Sequence, residues 1–486
     1  MSQTLSNRIC LAYSLPVVST AWLFAPIGVV QGIYAKYFGV PLTTIATVLL
    51  IARLFDAITD PAIGYYADRY YQRRRTYKPF ILAGGLLFIV SSYFLYVPPE
   101  GVSTFYFTVC FLAFYFAWTL FEMPHITWAS QLAPTSEAKT RIYSFRSVAK
   151  YIGWLLFYTV PLLPFFETSE ITPETLKVCV ILASVLMLVF LAISLTTNVD
   201  QTNDAGHGVD TTLLPRDTDT VANPSQSFRH LLLSIVNDKP LVIFVGAYML
   251  VAIATSLWYT LVFLYVDAYL GAGKQYAGIF LIAFAVGIAV TPLWYKLAVW
   301  WGKKNTWLMA TVLLMISFVL TGLMTPTNTN FTTLVILKII QTMGFACLAA
   351  VTPAMLSEIV DYNQWKTGKE HSATYFAIWT FMMKMEVAIA GALGLAIAGW
   401  YGFDATAASH SEQSIFGITL AIAWLPLAFS ALGLIAIFYV PIDERRHRTI
   451  RKRLNARTAR LNQSQASNTA SSINTIKHSE LVDGNM

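Results

Sequence analysis

The stretch RLFDAITDPAIGYYADR, residues 53–69, decides the fold, because it places charged side chains inside an apolar segment. It directly follows the apolar run TTIATVLLIA, with no turn signal between them. Arg53, Asp56 and Asp60 therefore belong to a helix that enters a membrane. A charge at the bilayer centre costs at least ~2.5–3.5 kcal/mol on insertion scales. Ionisable residues that persist there are paired or face a water-filled pathway.

The composition excludes a soluble protein. Of the 486 residues, 56% are hydrophobic and 12% are charged, against roughly 25% charged in soluble domains. The net charge of +7 does not indicate a nucleic-acid partner, because Lys and Arg concentrate in short loops and in the C-terminal run ERRHRTIRKRLNARTAR. That distribution is typical of a protein whose partner is the lipid bilayer. The four separated cysteines indicate buried thiols and no disulfide or metal cluster.

Twelve apolar runs are long enough to span a bilayer. The predicted spans are 11–34, 41–66, 80–98, 103–130, 145–165, 176–195, 240–268, 275–299, 306–324, 330–360, 373–400 and 414–440. A polar segment between the sixth and seventh spans predicts a flexible linker. The predicted organisation is a six-helix bundle at 1–198, a linker at 199–238, a second six-helix bundle at 239–442 and a basic tail at 443–486.

Loop charges predict the orientation. The loop after predicted helix 2, DRYYQRRRTYK, and those after helices 4, 8 and 10 carry Lys or Arg, whereas VPPEGVS and MTPTNTN carry neither. Basic loops remain on the cytoplasmic side. Both termini are therefore expected in the cytoplasm, with the chain in the cell's inner membrane.

The two halves of the sequence resemble each other weakly. Predicted helices 4 and 10 each contain a proline, Pro124 and Pro353, and the following helix carries an embedded lysine, Lys150 or Lys384. A duplicated six-helix unit is the plan of the major facilitator fold. We therefore predict an all-α membrane protein with twelve transmembrane helices in two six-helix bundles, and a solute site between the bundles.

The embedded charges form a candidate site. Arg53, Asp56 and Asp60 are spaced i, i+3 and i+7, which places them on one face of helix 2. Paired carboxylates and a hydroxyl suit Na⁺, a hard cation, and neighbouring carboxylates also favour a proton on one of them. The pattern predicts coupling to Na⁺ or H⁺, which the sequence does not distinguish, and no other metal or cofactor.

Other embedded polar residues lie on helices 4, 5 and 11: Thr119, Glu122, Arg146, Lys150, Lys384 and Glu386. If these helices line one cavity, the acids and bases compensate one another, with Arg53 and Lys150 as charge-pairing residues. The simpler alternative is that the ion pairs only fasten helices together. Several ionisable residues on different membrane helices favour a functional site.

Five further residues have weaker indications. Asp68 and Arg69 lie at the cytoplasmic end of helix 2 in a G-x-x-x-D-R pattern typical of major facilitators, which predicts a latch that closes the inward side. Trp128 and Trp379 are candidates for stacking on a sugar ring, although most aromatic residues in such a chain serve packing or the membrane interface. His125 is a candidate proton relay, with satisfied burial as the simpler interpretation.

Three segments carry a family resemblance. RLFDAITDPAIGYYADR resembles the R-x-x-D-x-x-x-D-P-x-x-G pattern of helix 2 in the glycoside–pentoside–hexuronide:cation symporters, the family of melibiose permease. TLFEMP is similar to that family's T-x-x-[DE]-x-P pattern in helix 4, and SEIVDYNQWKTGKEHSATYFAIWTFMMK is similar to its helix 10–11 element. The resemblance implies Na⁺-, Li⁺- or H⁺-driven symport of a small solute, usually a sugar or glycoside.

The resemblance also implies roles for individual residues. Carboxylates and a hydroxyl of helices 2 and 4 would bind the cation, and charged side chains of helices 4, 5 and 11 would contact the solute. The implied cation-binding residues are Asp56, Asp60, Thr119 and Glu122. The implied solute-binding residues are Glu122 and Arg146. Lys384 matches the family's helix 11 lysine close to the cation site and is a further candidate for solute binding.

Two positions depart from the family pattern. Helix 1 reads SLPVVSTAWLFAPIG and lacks the carboxylate that holds sugar hydroxyls in melibiose permease. Ile126 replaces the aromatic residue expected one turn after the helix 4 acid. These departures disfavour a galactoside as the solute and leave room for another sugar or for a solute that is not a sugar.

The sequence thus predicts a monomeric secondary active transporter, and not an enzyme, that imports a small-molecule solute with a cation. Two alternatives remain open. One is a proton-coupled exporter of a metabolite or siderophore on the same fold. The other is a membrane enzyme or sensor, which no phosphate loop, nucleophile elbow or metal cluster in the sequence favours.

Overall fold

The structure is a computed structural model that describes residues 6–132, 136–197, 238–367, 372–407 and 409–441. All regular secondary structure in these residues is helical. The long helices are α1 (Asn7–Phe38), α2 (Leu42–Arg74), α3 (Lys78–Tyr96), α4 (Thr104–Leu132), α5 (Ser136–Thr159), α6 (Pro173–Thr196), α7 (Lys239–Tyr269), α8 (Gly273–Trp300), α9 (Lys303–Gly322), α10 (Phe331–Thr367), α11 (Ser372–Trp400) and α12 (Glu412–Phe438). The predicted linker, apart from Asp238, and the predicted basic tail lie outside the described residues.

Eleven helices of the described residues are long and apolar enough to cross a membrane. The remaining long helix, α5, is less apolar because it carries Arg141, Arg146 and Lys150. It nevertheless packs against α1 and α8, in the position of a twelfth span. The protein is therefore an all-α, multi-pass membrane protein, as the sequence predicts.

Several helices are longer than the predicted spans. α2 continues to Arg74 and α10 to Thr367, beyond the predicted ends at 66 and 360. α5 begins at Ser136, so Lys139 and Arg141 lie in a helix and not in the loop predicted after helix 4. Apolarity marks only the part of a helix that lies in lipid, whereas the backbone hydrogen bonds of the helix continue into water. The sequence therefore located the spans correctly and misplaced their ends.

Local sequence signals set helix ends and breaks. α1 is interrupted at Ala25–Pro26, because proline lacks a backbone N–H and clashes with the preceding turn. Gly39 ends α1 with φ at 63°, a conformation that glycine adopts without the steric cost of a Cβ. α6 begins with a capping box in which Thr172 and Thr175 exchange side-chain and backbone hydrogen bonds.

The two halves pack in the same order. α1 packs against α5 and α6, α2 against α4, and α3 against α4 and α6. Correspondingly, α7 packs against α11 and α12, α8 against α10, and α9 against α10 and α12. The second set repeats the first with an offset of six helices, as a duplicated unit requires. The helices thus form two six-helix bundles, which confirms the predicted fold class.

The bundles meet chiefly through α1–α7, α2–α11 and α5–α8. We call the end of the molecule with loops 97–103 and 323–330 the bare-loop end, and the end with the α2–α3 and α8–α9 turns the basic-loop end. Contacts between the bundles close the bare-loop end. A Cβ on Gly399 of α11 would lie 2.9 Å from Thr43 of α2, and Lys36 of α1 forms an ion pair of 2.7 Å with Asp267 of α7.

Candidate functional site

The charged stripe of α2 forms a cluster with α4 and α11, which we call the acidic cluster: Arg53, Asp56, Asp60, Thr119 and Lys384. Arg53 Nη1 lies 2.9 Å from Asp56 Oδ2. Lys384 forms an ion pair with Asp60 and interacts electrostatically with Asp56. Because α2 and α11 belong to different bundles, the Lys384–Asp60 pair connects the bundles.

Arg53 also holds the charged face of α2 against α4. Its Nη2 donates a hydrogen bond of 2.9 Å to the Tyr115 hydroxyl, and its guanidinium carbon lies 4.4 Å from the centroid of the Tyr115 ring. Thr119 follows Tyr115 by one helical turn and is fully buried. The α2 and α4 candidates are therefore neighbours in the structure.

Three oxygens of the acidic cluster are buried without a hydrogen-bond partner among the described residues: Asp56 Oδ1, Asp60 Oδ1 and Thr119 Oγ1. Asp56 as a whole is only 2% exposed. A buried polar atom without a partner costs roughly 1–3 kcal/mol, so these oxygens of α2 and α4 are available to a ligand. Carboxylate and hydroxyl oxygens are the donors that a hard cation prefers. The residues present fit Na⁺ or a proton.

A second group of candidates lies between α1, α4 and α5, and we call it the arginine cluster: Tyr13, Glu122, His125 and Arg146. Arg146 forms an ion pair with Glu122 and lies 2.6 Å from His125 Nδ1. Because a guanidinium only donates, Nδ1 accepts, and His125 Nε2 carries the hydrogen that points to the Tyr13 carbonyl oxygen at 3.1 Å. Both ring nitrogens are engaged, which favours satisfied burial of His125 over a proton relay.

Tyr13 is a member of this cluster that the sequence did not single out. It is fully buried, its hydroxyl donates to the His125 carbonyl oxygen at 2.7 Å, and Arg146 Nη1 lies 3.3 Å from that hydroxyl. Its ring stacks on the imidazole with the centroids 4.2 Å apart. Helix 1 therefore contributes a neutral phenol to this region. The available signal was a hydroxyl-bearing aromatic residue within an otherwise apolar run.

The two tryptophan candidates lie apart from each other. Trp128 is buried in the first bundle, with its ring 5.7 Å from that of Tyr13. Trp379 packs against α7, with its ring centroid 4.0 Å from that of Tyr248. The structure thus places Trp128 beside the arginine cluster and Trp379 inside the second bundle.

Two more embedded charges lie beside the clusters: Lys150 interacts electrostatically with Glu122 of the arginine cluster, and Glu386 with Arg53 of the acidic cluster. Lys150 Nζ lies 5.3 Å from the ring centroid of Trp154, one turn further along α5. Glu386 of α11 is 8% exposed, and its Oε2 has no hydrogen-bond partner in the described part of the chain. It also interacts with Ser256 of α7.

Asp68 and Arg69, the predicted latch residues, contact their own bundle. The Tyr77 hydroxyl donates a hydrogen bond of 3.0 Å to Asp68 Oδ1, and Arg69 Nη1 lies 3.4 Å from the Tyr65 hydroxyl. Burial and the neighbouring Asp68 carboxylate raise the pKa of Tyr77, so this phenol remains a donor at neutral pH. The latch stays a prediction.

The fold and the embedded clusters define a class of protein: a multi-pass membrane transporter of the major facilitator type. The family model of MFS/sugar transport proteins matches residues 15–444. The chain belongs to this family, which confirms the predicted transport function and excludes the enzyme alternative.

Several named relatives cover nearly the whole chain. The chain is 24% identical to the inner membrane symporter YicJ of Escherichia coli (strain K12), over 87% of this chain and 88% of the relative. It is 23% identical to the glucuronide carrier protein homolog of the same organism, over 93% and 96%. It is 22% identical to the isoprimeverose transporter of Lactiplantibacillus pentosus, over 91% and 88%. These likenesses agree with the symporter family indicated by the sequence motifs.

A solved structure supports the fold independently. The xylose transporter XylE from E. coli, in an inward open conformation, aligns with a TM-score of 0.59 and 15% sequence identity. The alignment covers 90% of this chain and 96% of that chain. At this level of identity the likeness establishes the major facilitator architecture.

Proposed function

We propose that the protein is a cation-coupled symporter that imports a sugar, a glycoside or another small polar solute. The observation that carries the proposal is the set of three buried oxygens on Asp56, Asp60 and Thr119 that lack hydrogen-bond partners among the described residues. These oxygens are the donor set that a hard cation or a proton requires.

The ion pair between Lys384 and Asp60 supports a coupling mechanism. A cation that binds Asp60 competes with the Lys384 ammonium for the same carboxylate, because like charges repel at short distance. The released ammonium then donates hydrogen bonds to the solute. Cation binding and solute binding therefore favour each other, and the coupling is reciprocal. The coupling ion is Na⁺ or H⁺.

The arginine cluster supports a polar solute. Glu122 and Arg146 place an acceptor and several donors within an apolar bundle, and such isolated polar groups orient ligands in binding sites. Two relatives are named for glucuronide and isoprimeverose, which favours a sugar or glycoside for this chain. Tyr13 contributes a phenol to the same cluster, in a helix without the carboxylate of melibiose permease.

We place the protein in the inner membrane with both termini in the cytoplasm. The basic turns support this orientation, and one relative is named as an inner membrane symporter. The bare-loop end then faces outward. Since the bundles touch at that end, the conformation described here is closed to the outside.

Uptake into proteoliposomes tests the proposal. The purified protein is reconstituted and offered labelled sugars and glycosides under a Na⁺ gradient or a pH gradient. Asp56→Asn and Asp60→Asn remove the negative charge with little change in shape, so both variants should insert normally and lose concentrative uptake. Glu100→Gln, in an exposed loop, is the matched control and should accumulate solute like the wild type. Full accumulation by both aspartate variants would reject the proposal.

The same preparation distinguishes the remaining alternatives. Uptake that follows the Na⁺ gradient at constant pH identifies Na⁺ as the coupling ion, and uptake that follows the pH gradient identifies H⁺. Accumulation in inverted vesicles under an imposed proton gradient, without accumulation in right-side-out vesicles, would instead favour the exporter.

A further inference from the structure

A lysine in the second bundle has surroundings unlike those of the acidic cluster. Lys338 of α10 is 4% exposed. Its Nζ lies 4.5 Å from the ring centroids of Trp258 and Tyr259, and 4.1 Å from that of Phe280. We call these residues, together with Gln341, the aromatic cage.

The polar contacts of Lys338 and Gln341 leave hydrogen-bond donors unused. Nζ donates a hydrogen bond of 2.7 Å to Gln341 Oε1 and lies 3.5 Å from the Tyr259 hydroxyl. Gln341 is fully buried, and its Nε2 has no partner among the described residues. No ion pair found in the described ranges includes Lys338. The cage therefore holds a buried amine, which carries a positive charge when it is protonated, and an unused amide donor.

Aromatic rings compensate this charge only in part. A cation–π contact contributes up to about 2 kcal/mol in a desolvated site, whereas a lysine at the centre of a membrane helix costs at least ~2.5–3.5 kcal/mol. An anion between Lys338 and Gln341 would supply the missing charge and accept from the unused donor. Charge-assisted hydrogen bonds of this kind are about twice as strong as neutral ones.

The cage lies at the seam between the bundles. Lys338 follows the start of α10 at Phe331 by two helical turns, roughly 10 Å from the bare-loop end. The Phe280 ring stacks on Tyr158 of α5, with the centroids 5.2 Å apart. Since α5 and α8 belong to different bundles, separation of the bundles at the bare-loop end takes Tyr158 away from the cage.

A small cavity borders Lys338, lined by apolar residues of α7, α8 and α10. In the present conformation it has room for a water-sized group and not for a sugar. A solute therefore reaches Lys338 when the bare-loop end opens, which alternating access provides.

We infer that Lys338 and Gln341 bind the carboxylate of an acidic sugar or glycoside that enters from the bare-loop end. The inference rests on the proposed transport function. Acidic glycosides are already named among the solutes of the family that the chain resembles, so what the inference adds is the site that binds them. The ammonium binds one carboxylate oxygen, and the Gln341 amide donates to the other. The rings exclude water, which strengthens both interactions. The site is separate from the acidic cluster, whose carboxylates would repel such an anion.

Calorimetric binding to the purified full-length protein tests this site, with glucuronate as the acidic probe and glucose as the neutral one. Lys338→Met should weaken glucuronate binding by about tenfold or more, because a charge-assisted contact is lost. Gln341→Leu should weaken it severalfold. Lys338→Arg should restore most of the affinity, and glucose binding should change in none of them. Lys177→Gln removes an exposed lysine of α6 and is the matched control.

The other results overturn either the inference or the proposed function, and the two failures are distinguishable. If Lys338→Met binds glucuronate like the wild type, or loses glucuronate and glucose equally, the lysine has no role in reading the carboxylate. If the wild-type protein binds glucose but not glucuronate, the anion site is rejected and the symport proposal stands. Wild-type protein that binds glucuronate through Lys338 but shows no ion-driven uptake rejects the symport proposal and leaves the site. If Lys338→Met does not fold, the affinities of Gln341→Leu and Lys338→Arg for glucuronate decide whether the site binds the carboxylate.

Discussion

The acidic cluster and the aromatic cage both bury charge in the membrane, but they compensate it differently. In the acidic cluster Arg53 and Lys384 each meet a carboxylate, and the unpartnered atoms are oxygens. In the aromatic cage Lys338 meets rings and an amide, and the unpartnered atom is a nitrogen donor. The chemistry of the atoms left without partners, more than the presence of charge, indicates what each region binds: a cation in the first and an anionic group in the second.

The largest effect should come from breaking a pair in the acidic cluster. Arg53→Met leaves Asp56 buried without its cation. Loss of one partner of a buried ion pair destabilises proteins by roughly 3–5 kcal/mol, so the variant should unfold at a clearly lower temperature in detergent. Thermal unfolding of purified protein, followed by tryptophan fluorescence, measures this change.

The double variant Arg53→Met/Asp56→Asn is the control for this prediction. It removes both charges, so it should recover most of the lost stability while remaining inactive in uptake. A single variant as stable as the wild type would show that water or another group compensates Asp56. In that case the stability of the acidic cluster would not depend on the Arg53–Asp56 ion pair. The two regions would then not differ in how they compensate buried charge.

Lys338→Met in the aromatic cage should raise the stability of the protein, whereas Arg53→Met lowers it. The change in the free energy of unfolding should also be smaller. Lys338→Met removes a buried amine that has no ion-pair partner among the described residues. Relief of its burial, ~2.5–3.5 kcal/mol, is offset by the loss of cation–π attraction of up to about 2 kcal/mol. We expect a gain in stability of about 1 kcal/mol, measured in the same unfolding assay. A large loss would mean that the cation–π contacts hold α7, α8 and α10 together.

Sequence alone could predict one of these regions and not the other. The acidic cluster was visible because Arg53, Asp56 and Asp60 lie in one helix, where spacing alone places them on one face. Its contacts with Tyr115 and Lys384 depend on how α4 and α11 pack. Only the family resemblance indicated that Lys384 lies close to the cation site. Pairing across helices is a property of tertiary structure.

The aromatic cage shows what a sequence pattern cannot predict. Lys338 stands alone in the run TLVILKIIQTM, and its ring neighbours come from α7 and α8, so no pattern within one helix predicts them. The fold itself was more predictable. Apolar length located the spans, whereas the continuation of α2 to Arg74 was missed because hydropathy does not record where a helix ends in water.

The smallest effect should come from the contact that closes the bare-loop end. The Lys36–Asp267 pair connects α1 and α7 at 2.7 Å, with the lysine side chain 26% exposed. A partly exposed pair contributes about 1 kcal/mol or less. Asp267→Asn should therefore shift the bundles toward opening at that end by up to about fivefold. The rate of thiol labelling at Thr43→Cys, beside Gly399, reports this shift, because all four native cysteines are buried.

Asp267→Asn also sharpens the comparison, because the opening exposes the aromatic cage, while neither partner of the Lys36–Asp267 pair is a member of the acidic cluster. Asp267→Asn should raise the affinity for glucuronate by the same factor as the labelling rate. High salt should reduce the difference between wild type and variant, since it screens the Lys36–Asp267 pair. Lys36→Gln should reproduce the effect, and the double variant should add little to either single change. Faster labelling without tighter glucuronate binding would separate the aromatic cage from the pathway that opens at the bare-loop end.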